Sequence, residues 1–546
     1  MFGKSRVFAL ILAAVIFASA FTGCGVSEKP VPSEGPSFDA FADELFRHYA
    51  SADSISLNYI LAHPENYGIE KPAPTFGGYS TEAFEAEAGY CEGRLKELKA
   101  FDYDRLSYEQ QLTYDVVHEL LAEGSAEKDF LYYGDALSPT SGIQAQLPTL
   151  LSEYHIYEKE DFGYYIELLA ELPGYFEDIA AFEREKKGQG TFMAKVSAEN
   201  VIKQIEAFIE NPEANLLLKV FDEKVDAFEG LADEERADLK ARNKTAVLGS
   251  VVPAYRSLAD SLAELNADNP RTGGLSSIRG GKEYYEYLTK ASSGSQRGMD
   301  ELENMVDGAI VQSMATIATV YQSDPPLLAA AENPSYPASE PNEILDYLKN
   351  AIPGDFPAAT GDGYELKYVD ESLEGFVSPA FYLIPPIDDT AHNVIYLNNS
   401  YLQDTNRMMF PTLAHEGYPG HLYQTVYFRR LGRAPIRSLL STDGYVEGWA
   451  IYVEQMSYRL AGLDDNLAAL LAANMAGSLC ISAKIDIAVN ARGWGREDVR
   501  EYFSQLGVGG EESANEIYDA VVAEPLCYAK YVIGYLEILE LKKNAR

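Results

Sequence analysis

Cysteine is scarce in this sequence, and its scarcity excludes two kinds of site. The 546-residue chain has four cysteines, of which Cys91, Cys480 and Cys527 lie in its main body. An odd number without the short C-x-x-C spacing excludes a disulfide framework and disfavours a thiolate zinc site. Cys91 falls on an apolar stripe with helical spacing, so we predict that it packs in the core.

Basic residues are also few relative to acidic ones. The chain carries 44 lysines and arginines against 84 aspartates and glutamates, which gives a formal net charge of -40 at pH 7. Such a charge repels nucleic acid and anionic lipid, so neither is expected as a partner. The chain lacks a G-x-S-x-G elbow and a glycine-rich phosphate loop, which disfavours serine hydrolases and nucleotide enzymes. Its 47% hydrophobic content predicts a large folded protein with a sizeable core.

One apolar run lies near the amino terminus, and we expect no membrane-spanning helix elsewhere in the chain. Residues 7–21 are too few for a membrane span of roughly 20 residues, follow two basic residues, and precede small residues before Cys24. We predict that residues 1–23 are a lipoprotein signal peptide, cleaved before Cys24, which would carry the lipid. The alternative is a secreted protein with a free Cys24. Residues 24–37, rich in proline, serine and glycine, are predicted to form a flexible tether, so the protein would be extracytoplasmic and touch the membrane only through its lipid anchor.

The hydrophobic pattern predicts a mainly α fold. Apolar residues recur with the 3.6-residue period of a helix over long stretches, including 198–210 and 297–322. Strand signals are confined to 376–384 and 393–398, where β-branched and aromatic residues are bounded by proline or asparagine pairs. We therefore expect a large helical fold with one short β element.

Glycine- and proline-rich stretches are the best internal breaks. They occur at 270–281 and 324–341. We predict a helical amino-terminal half, 38–290, and a second helical half, 291–546, although either break could be a loop inside one domain.

The most informative segment contains two of the seven histidines. His415 and His421 bound the sequence HEGYPGH, with Glu416 directly after the first histidine. In the related H-E-x-x-H motif, two histidines one helical turn apart hold Zn²⁺ while the glutamate acts as general base. A spacing of six residues turns about 240° around a straight helix, so the two rings could not face one ion. A break at Pro419 and Gly420 would be needed; otherwise these are ordinary surface or core histidines.

A second motif, EGWAIYVE, supplies carboxylates. Glu447 and Glu454 lie seven residues apart on a predicted helix and so share one face. Two histidines and a glutamate form a known ligand set for catalytic zinc. Glu454 would then orient a ligand histidine from outside the ligand set. Glu454 could instead replace Glu447 as a ligand, and either could simply be a solvated charge.

Three segments together resemble a known family. HEGYPGH, EGWAIYVE and the stretch around Tyr531 (PLCYAKYVIGY) are similar in order and spacing to the bacterial family known as domain of unknown function 885. The resemblance implies a helical, gluzincin-like metallopeptidase fold, with 291–546 as its catalytic half and the β element next to the active-site helix. It implies one Zn²⁺ per chain with three ligands: His415, His421 and Glu447. It also implies Glu416 as general base and general acid and Tyr531 near the reacting carbonyl, unless that tyrosine is a packed core residue.

The sequence departs from the family at one position. Where the family commonly reads D-x-G-x-H, this chain has Asp486, Ala488 and Asn490. An amide cannot take a proton as an imidazole can. We predict that Asn490 supports the site or binds substrate as a hydrogen-bond donor, or that the protein differs from the family in activity.

The resemblance implies zinc-dependent hydrolysis of peptide bonds outside the cytoplasm. The substrate would be a peptide or oligopeptide, and Glu416 would take a proton from the attacking water. The strand at 393–398 would be an edge strand that pairs with an extended peptide, the alternative being an interior strand. Two other functions stay open: a zinc amidase for a non-protein amide, and a catalytically inert binding or scaffold lipoprotein, as the change at Asn490 hints.

Overall fold

The fold is mainly α. A computed structural model describes residues 37–358, 363–371, 373–374, 378–402 and 406–545. This part of the chain contains 22 α-helices and one three-stranded sheet, which confirms the predicted fold class. The predicted signal peptide, most of the tether and the lipidation site Cys24 lie outside the described residues.

The helices are numbered in chain order. The first eleven are α1 (Phe38–Ala50), α2 (Ser54–Ile60), α3 (Thr81–Leu98), α4 (Tyr108–Ala126), α5 (Ile143–Ser152), α6 (Glu160–Gln189), α7 (Lys195–Phe208), α8 (Leu216–Ala227), α9 (Asp233–Ala246), α10 (Val252–Asn266) and α11 (Gly281–Ser293). The others are α12 (Met299–Ser323), α13 (Pro326–Glu332), α14 (Pro341–Ala351), α15 (Asn399–Leu402), α16 (Asn406–Glu416), α17 (His421–Arg430), α18 (Asp443–Leu460), α19 (Asp465–Ile487), α20 (Arg496–Leu506), α21 (Glu511–Ala523) and α22 (Ala529–Asn544).

The sheet contains three short strands in the order β1-β3-β2. These are β1 (Tyr364–Tyr368), β2 (Ala380–Leu383) and β3 (Asn393–Leu397). β3 pairs in parallel with β1 and antiparallel with β2. The predicted strand at 393–398 is therefore confirmed, but its placement at an edge is wrong because it is the central strand.

The burial of β3 explains its central place. Val394 and Tyr396 pack into the large hydrophobic cluster of the amino-terminal helices. Ile395 and Leu397, on the opposite face, pack into a cluster with α14 and α16. Because alternate residues of a strand point to opposite faces, a strand covered on both sides must be apolar throughout.

The other two strands compare differently with the sequence. β2 falls within the predicted stretch 376–384, of which residues 376 and 377 lie outside the described residues. β1 was not predicted. Its sequence, YELKY, puts a glutamate and a lysine into a five-residue strand whose side chains are exposed or half-buried, so it carries no apolar run.

Helix α19 lies at the centre of the carboxy-terminal core. Among the described residues, Asp465–Arg492 is the one helical stretch long and apolar enough to cross a membrane, with a mean hydropathy of 1.5 over its most apolar window. Of that window 56% is buried within the protein, and Cys480, Ile485 and Val489 belong to one hydrophobic cluster with α12 and α22. Packing inside the fold accounts for this apolar composition.

Helices α18 and α22 touch through their backbones. A Cβ atom added at Gly534 of α22 would overlap the carbonyl oxygen of Gly444 on α18. One added at Gly448 would overlap the backbone of Gly534 and Tyr535. Glycine is therefore required on both sides of this crossing, because any side chain would push the helices apart.

We expect Gly534→Ala to destabilise the protein by about 3 kcal/mol, because the added methyl group must separate two packed helices. Urea unfolding followed by circular dichroism would measure this loss. The matched control is Gly308→Ala on α12, where an added Cβ meets nothing within 4 Å. That change should stabilise its helix by up to about 1 kcal/mol. Equal stability of the two variants would contradict the close crossing.

Candidate metal centre

The two histidines of HEGYPGH lie at the ends of two different helices. α16 ends at Glu416 and α17 begins at His421, with four residues between them. A Cβ at Gly420 would overlap the carbonyl oxygen of His415, and one at Gly417 would overlap the side chain of Leu345. The two glycines thus allow the chain to turn back closely, and the helix is broken where the six-residue spacing requires it.

This break brings the predicted ligand atoms together. The His415 and His421 rings lie 4.7 Å apart between centroids at an angle of 86°. Glu447 Oε2 lies 3.4 Å from His415 Nε2 and 3.6 Å from His421 Nε2. One donor atom from each of the three residues lies within 4.8 Å of the others. Ligands at zinc bond lengths of about 2.1 Å in a tetrahedron are about 3.4 Å apart, so this donor set fits Zn²⁺.

Two buried polar atoms of this cluster lack a hydrogen bond. Glu447 is 4% exposed, and its Oε2 meets no donor with hydrogen-bond geometry among the described residues. His421 is 7% exposed, and its Nδ1 also has no hydrogen-bond partner among the described residues. A buried carboxylate oxygen without a donor is costly. A cation bound between Glu447 and the two imidazoles would remove that cost.

Glu454 supports the cluster from its outer side. His415 Nδ1 lies 3.1 Å from Glu454 Oε2, two turns along α18 from Glu447. A hydrogen bond at Nδ1 leaves Nε2 of the same ring facing Glu447. The geometry therefore gives Glu447 and Glu454 different roles, whereas from the sequence either could be the metal ligand. Glu447 reaches both imidazoles, and Glu454 orients one of them, as partners of metal-bound histidines commonly do.

The cluster is rich in carboxylates, and its pKa values reflect this. Burial raises the pKa of Glu454. Burial also acts to raise the pKa of Glu447, but the attraction of His421 and His415 outweighs it and lowers that pKa far below its usual range. Burial acts to lower the pKa of His415, but the neighbouring carboxylates of Glu447, Glu454 and Glu416 outweigh it and raise that pKa well above its usual value. Such a site favours positive charge, and metal binding to it must displace protons.

Glu416 lies beside the donor atoms without joining them. Its Oε1 is 3.9 Å from His415 Nε2. Its Oε2 accepts a hydrogen bond of 2.9 Å from the backbone N–H of Tyr382 on β2. β2 is the edge strand of the sheet on this side, and Tyr382 N points away from β3. The backbone N–H of Tyr382 thus holds the Glu416 carboxylate next to the cluster. A sequence motif, which lists side chains, cannot predict such a backbone contact.

Tyr531 approaches the cluster from α22. Burial raises the pKa of its phenol well above the usual value, and Glu447 is the charged neighbour that raises it most. The hydroxyl therefore stays protonated and can donate a hydrogen bond. Glu447 precedes Gly448 and Tyr531 lies one turn before Gly534, so the glycine crossing sets the distance between these two side chains.

The environment of Asn490 differs from the solvent-accessible one expected of a residue that binds substrate. It is fully buried, and its Nδ2 donates to Asp486 and to the carbonyl oxygen of Val521. Its Oδ1 accepts from the backbone N–H of Leu275. Because both ends of its amide are engaged within the protein, the surroundings of Asn490 fit the predicted role of supporting the site better than that of donating to substrate.

Asp486 links Asn490 to the helix that carries Tyr531. Its buried carboxylate accepts hydrogen bonds from the backbone N–H groups of Leu526, Tyr528 and Ala529, at 3.0 to 3.2 Å. It also accepts from the hydroxyl of Tyr285 at 3.0 Å. Asp486 and Asn490 together hold the start of α22. In the sequence, this role is indicated only by the position of Asp486 at the start of the stretch where the family commonly reads D-x-G-x-H.

These elements define a helical protein with a two-histidine, one-glutamate cluster at a broken helix. The family model described as "Bacterial protein of unknown function (DUF885)" matches residues 65–546, and the chain belongs to this family. No curated protein matches the sequence.

Two solved structures have a similar fold. One is the "putative lipoprotein" from Colwellia psychrerythraea, with a TM-score of 0.82 and 17% identity over 93% of this chain and 92% of that chain. The other is a "putative lipoprotein of unknown function" from Shewanella oneidensis, with a TM-score of 0.64 and 15% identity over 94% of each chain. At these identities the likeness establishes the fold alone.

We expect Asp486→Asn to destabilise the protein by about 2 to 4 kcal/mol, because the new amide group would point a donor at groups that are themselves donors. Thermal and urea unfolding would measure the loss. Asp465→Asn, at an exposed position in the first turn of α19, is the control and should change stability by less than about 0.5 kcal/mol. An unchanged unfolding midpoint in Asp486→Asn would contradict the role of this carboxylate in holding α22.

Proposed function

We propose that the protein is a zinc-dependent peptidase that acts outside the cytoplasm. The observation that carries the proposal is the convergence of His415, His421 and Glu447, with Glu416 held beside them by a backbone hydrogen bond. An ordinary structural cluster would satisfy the buried oxygen of Glu447 with a donor from the protein.

Each residue of the site has a separate role in the proposed hydrolysis. His415, His421 and Glu447 hold the zinc ion, which when bound polarises the scissile carbonyl and makes water acidic. Glu416 takes a proton from the attacking water and passes it to the leaving nitrogen. The hydroxyl of Tyr531 donates a hydrogen bond toward the carbonyl oxygen as negative charge develops there.

The edge of the sheet favours an extended peptide as substrate. β2 pairs with β3 on one side only, and its Tyr382 N–H already binds Glu416 on the other side. A peptide lying along this edge would pass directly beside the general base. Addition of a strand to a sheet edge is a common way to bind extended peptides without reading their side chains.

The proposed location follows from the amino terminus. The predicted signal peptide and Cys24 indicate a lipid-anchored protein of the cell membrane. Both structural relatives carry the name of lipoprotein, which agrees with this location.

We expect about one zinc per chain in the purified protein, measured by plasma mass spectrometry. His415→Ala, His421→Ala and Glu447→Ala should each lose it or bind it much more weakly, because three protein ligands are the minimum for such a site. His392→Ala removes an exposed histidine paired with Asp389 and should keep the metal. A wild-type protein that contains no zinc and takes none up would favour the inert binding or scaffold lipoprotein.

We expect Glu416→Gln to keep zinc and its fold but to lose peptide cleavage by about 10² to 10⁴-fold, because the amide cannot accept the proton. Cleavage of a peptide library, followed by mass spectrometry, would measure this. Glu454→Gln should behave in the opposite way, with zinc affinity reduced about 10 to 100-fold and activity recovered at high zinc. If the zinc-loaded wild type cuts no peptide in the library, the peptidase proposal fails and a non-protein amide becomes the better substrate.

A further inference from the structure

A lysine lies next to the candidate site in this strongly acidic protein. Lys530 lies in the first turn of α22, directly before Tyr531. Its side chain is 12% exposed, and its ammonium group donates a hydrogen bond of 3.1 Å to Asp443 Oδ2. After Asp443, the carboxylate that acts most strongly on this ammonium group is Glu447. A positive charge is thus held against α18 near the proposed zinc ligand.

The residue spacing along α18 gives the approximate distance between Asp443, the partner of Lys530, and Glu447. Asp443 and Glu447 are four residues apart on one helix face, which corresponds to about 6 Å along the axis. An extended peptide advances about 3.3 to 3.6 Å per residue. The interval from Asp443, which is paired with Lys530, to Glu447 therefore corresponds to one to two residues of an extended peptide.

The other charges around the site are mostly negative. Glu416, Glu447 and Glu454 lie within the cluster, and Asp443 and Glu524 are the further carboxylates that act on Lys530. A substrate carboxylate would be repelled by these groups everywhere except beside the lysine. Asp443 has a side-chain exposure of 38%, so the ion pair can be reached from solvent.

We propose that Lys530 binds the free α-carboxylate of a peptide substrate, so that the protein removes one or two residues from peptide carboxyl termini. This inference rests on the proposed peptidase function and specifies its substrate class. Asp443 holds the ammonium group in position, and the substrate carboxylate joins the pair when the peptide lies along β2. Bonds far from a carboxyl terminus are then poor substrates.

The test compares three forms of one hexapeptide with the zinc-loaded protein. The first has a free carboxyl terminus, the second has a terminal carboxamide, and the third is the carboxamide with glutamate as its last residue. We expect kcat/KM for the free acid to exceed the other two by at least tenfold. Mass spectrometry should show release of one or two residues.

Variants of Lys530 isolate its contribution. Lys530→Met should raise KM for the free acid at least tenfold with little change in kcat, and should leave cleavage of the carboxamide unchanged. Lys530→Arg should largely restore the preference. Lys484→Met is the matched control, because Lys484 has the same 12% side-chain exposure and is paired with Glu303 and Asp307. That change should leave the preference intact.

Binding gives a readout that does not depend on turnover. In zinc-loaded Glu416→Gln protein, fluorescence anisotropy should show the free acid binding at least tenfold more tightly than the carboxamide, and Lys530→Met should remove this difference. Equal binding and cleavage of acid and amide, with cuts at internal bonds, would overturn the role of Lys530 alone. An equal fall in kcat for both forms in Lys530→Met would also overturn it. Failure to cut or bind any form would overturn the peptidase proposal as well.

Discussion

The direct contact between the backbones of α18 and α22 is the constraint on which the candidate site depends. Gly444 and Gly448 on one helix and Gly534 on the other leave no room for a side chain between the axes. Helices with larger residues at a crossing stay farther apart, since interaxial distance follows side-chain size. The short distance brings the segment of α22 that carries Tyr531 close to the segment of α18 that carries Glu447. The three glycines, which have no reactive side chain, thus set the spacing of the residues that form the candidate site.

A second constraint is electrostatic. The protein carries a large excess of acids, and it buries three of these carboxylates, Glu416, Glu447 and Glu454, around one histidine. Each buried carboxylate needs a donor or a cation. Glu416 receives a backbone N–H and Glu454 an imidazole, whereas one oxygen of Glu447 has no donor of suitable geometry. The cost of burial is therefore concentrated on the atom that faces both imidazoles.

Much of this arrangement could be predicted from the sequence because local spacing encodes it. Helical periodicity predicts the fold class, the seven-residue interval puts Glu447 and Glu454 on one face, and proline and glycine mark the break before His421. Roles set by distant partners could not be predicted. The central position of β3 depends on β1, a strand without an apolar run.

Asn490 illustrates the same limit within the site. Its type and its place in a family motif suggested contact with substrate. Its partners are Leu275 and Val521, which lie far away in sequence, and together with Asp486 they use both ends of its amide. A motif position predicts which residue type is present, but the direction of the side chain follows from the packing of elements that the motif does not contain.

The candidate site depends on α22, so it is complete only after this carboxy-terminal helix has been synthesised. The candidate metal ligands lie on α16, α17 and α18, whereas Tyr531 and Lys530 lie on the last helix described. If the chain is exported, as the proposed function requires, the segment with the candidate ligands would emerge well before the segment that completes the site. Within the proposed function, the growing chain is therefore not an assembled peptidase, and its own unfolded segments are protected from it during translocation.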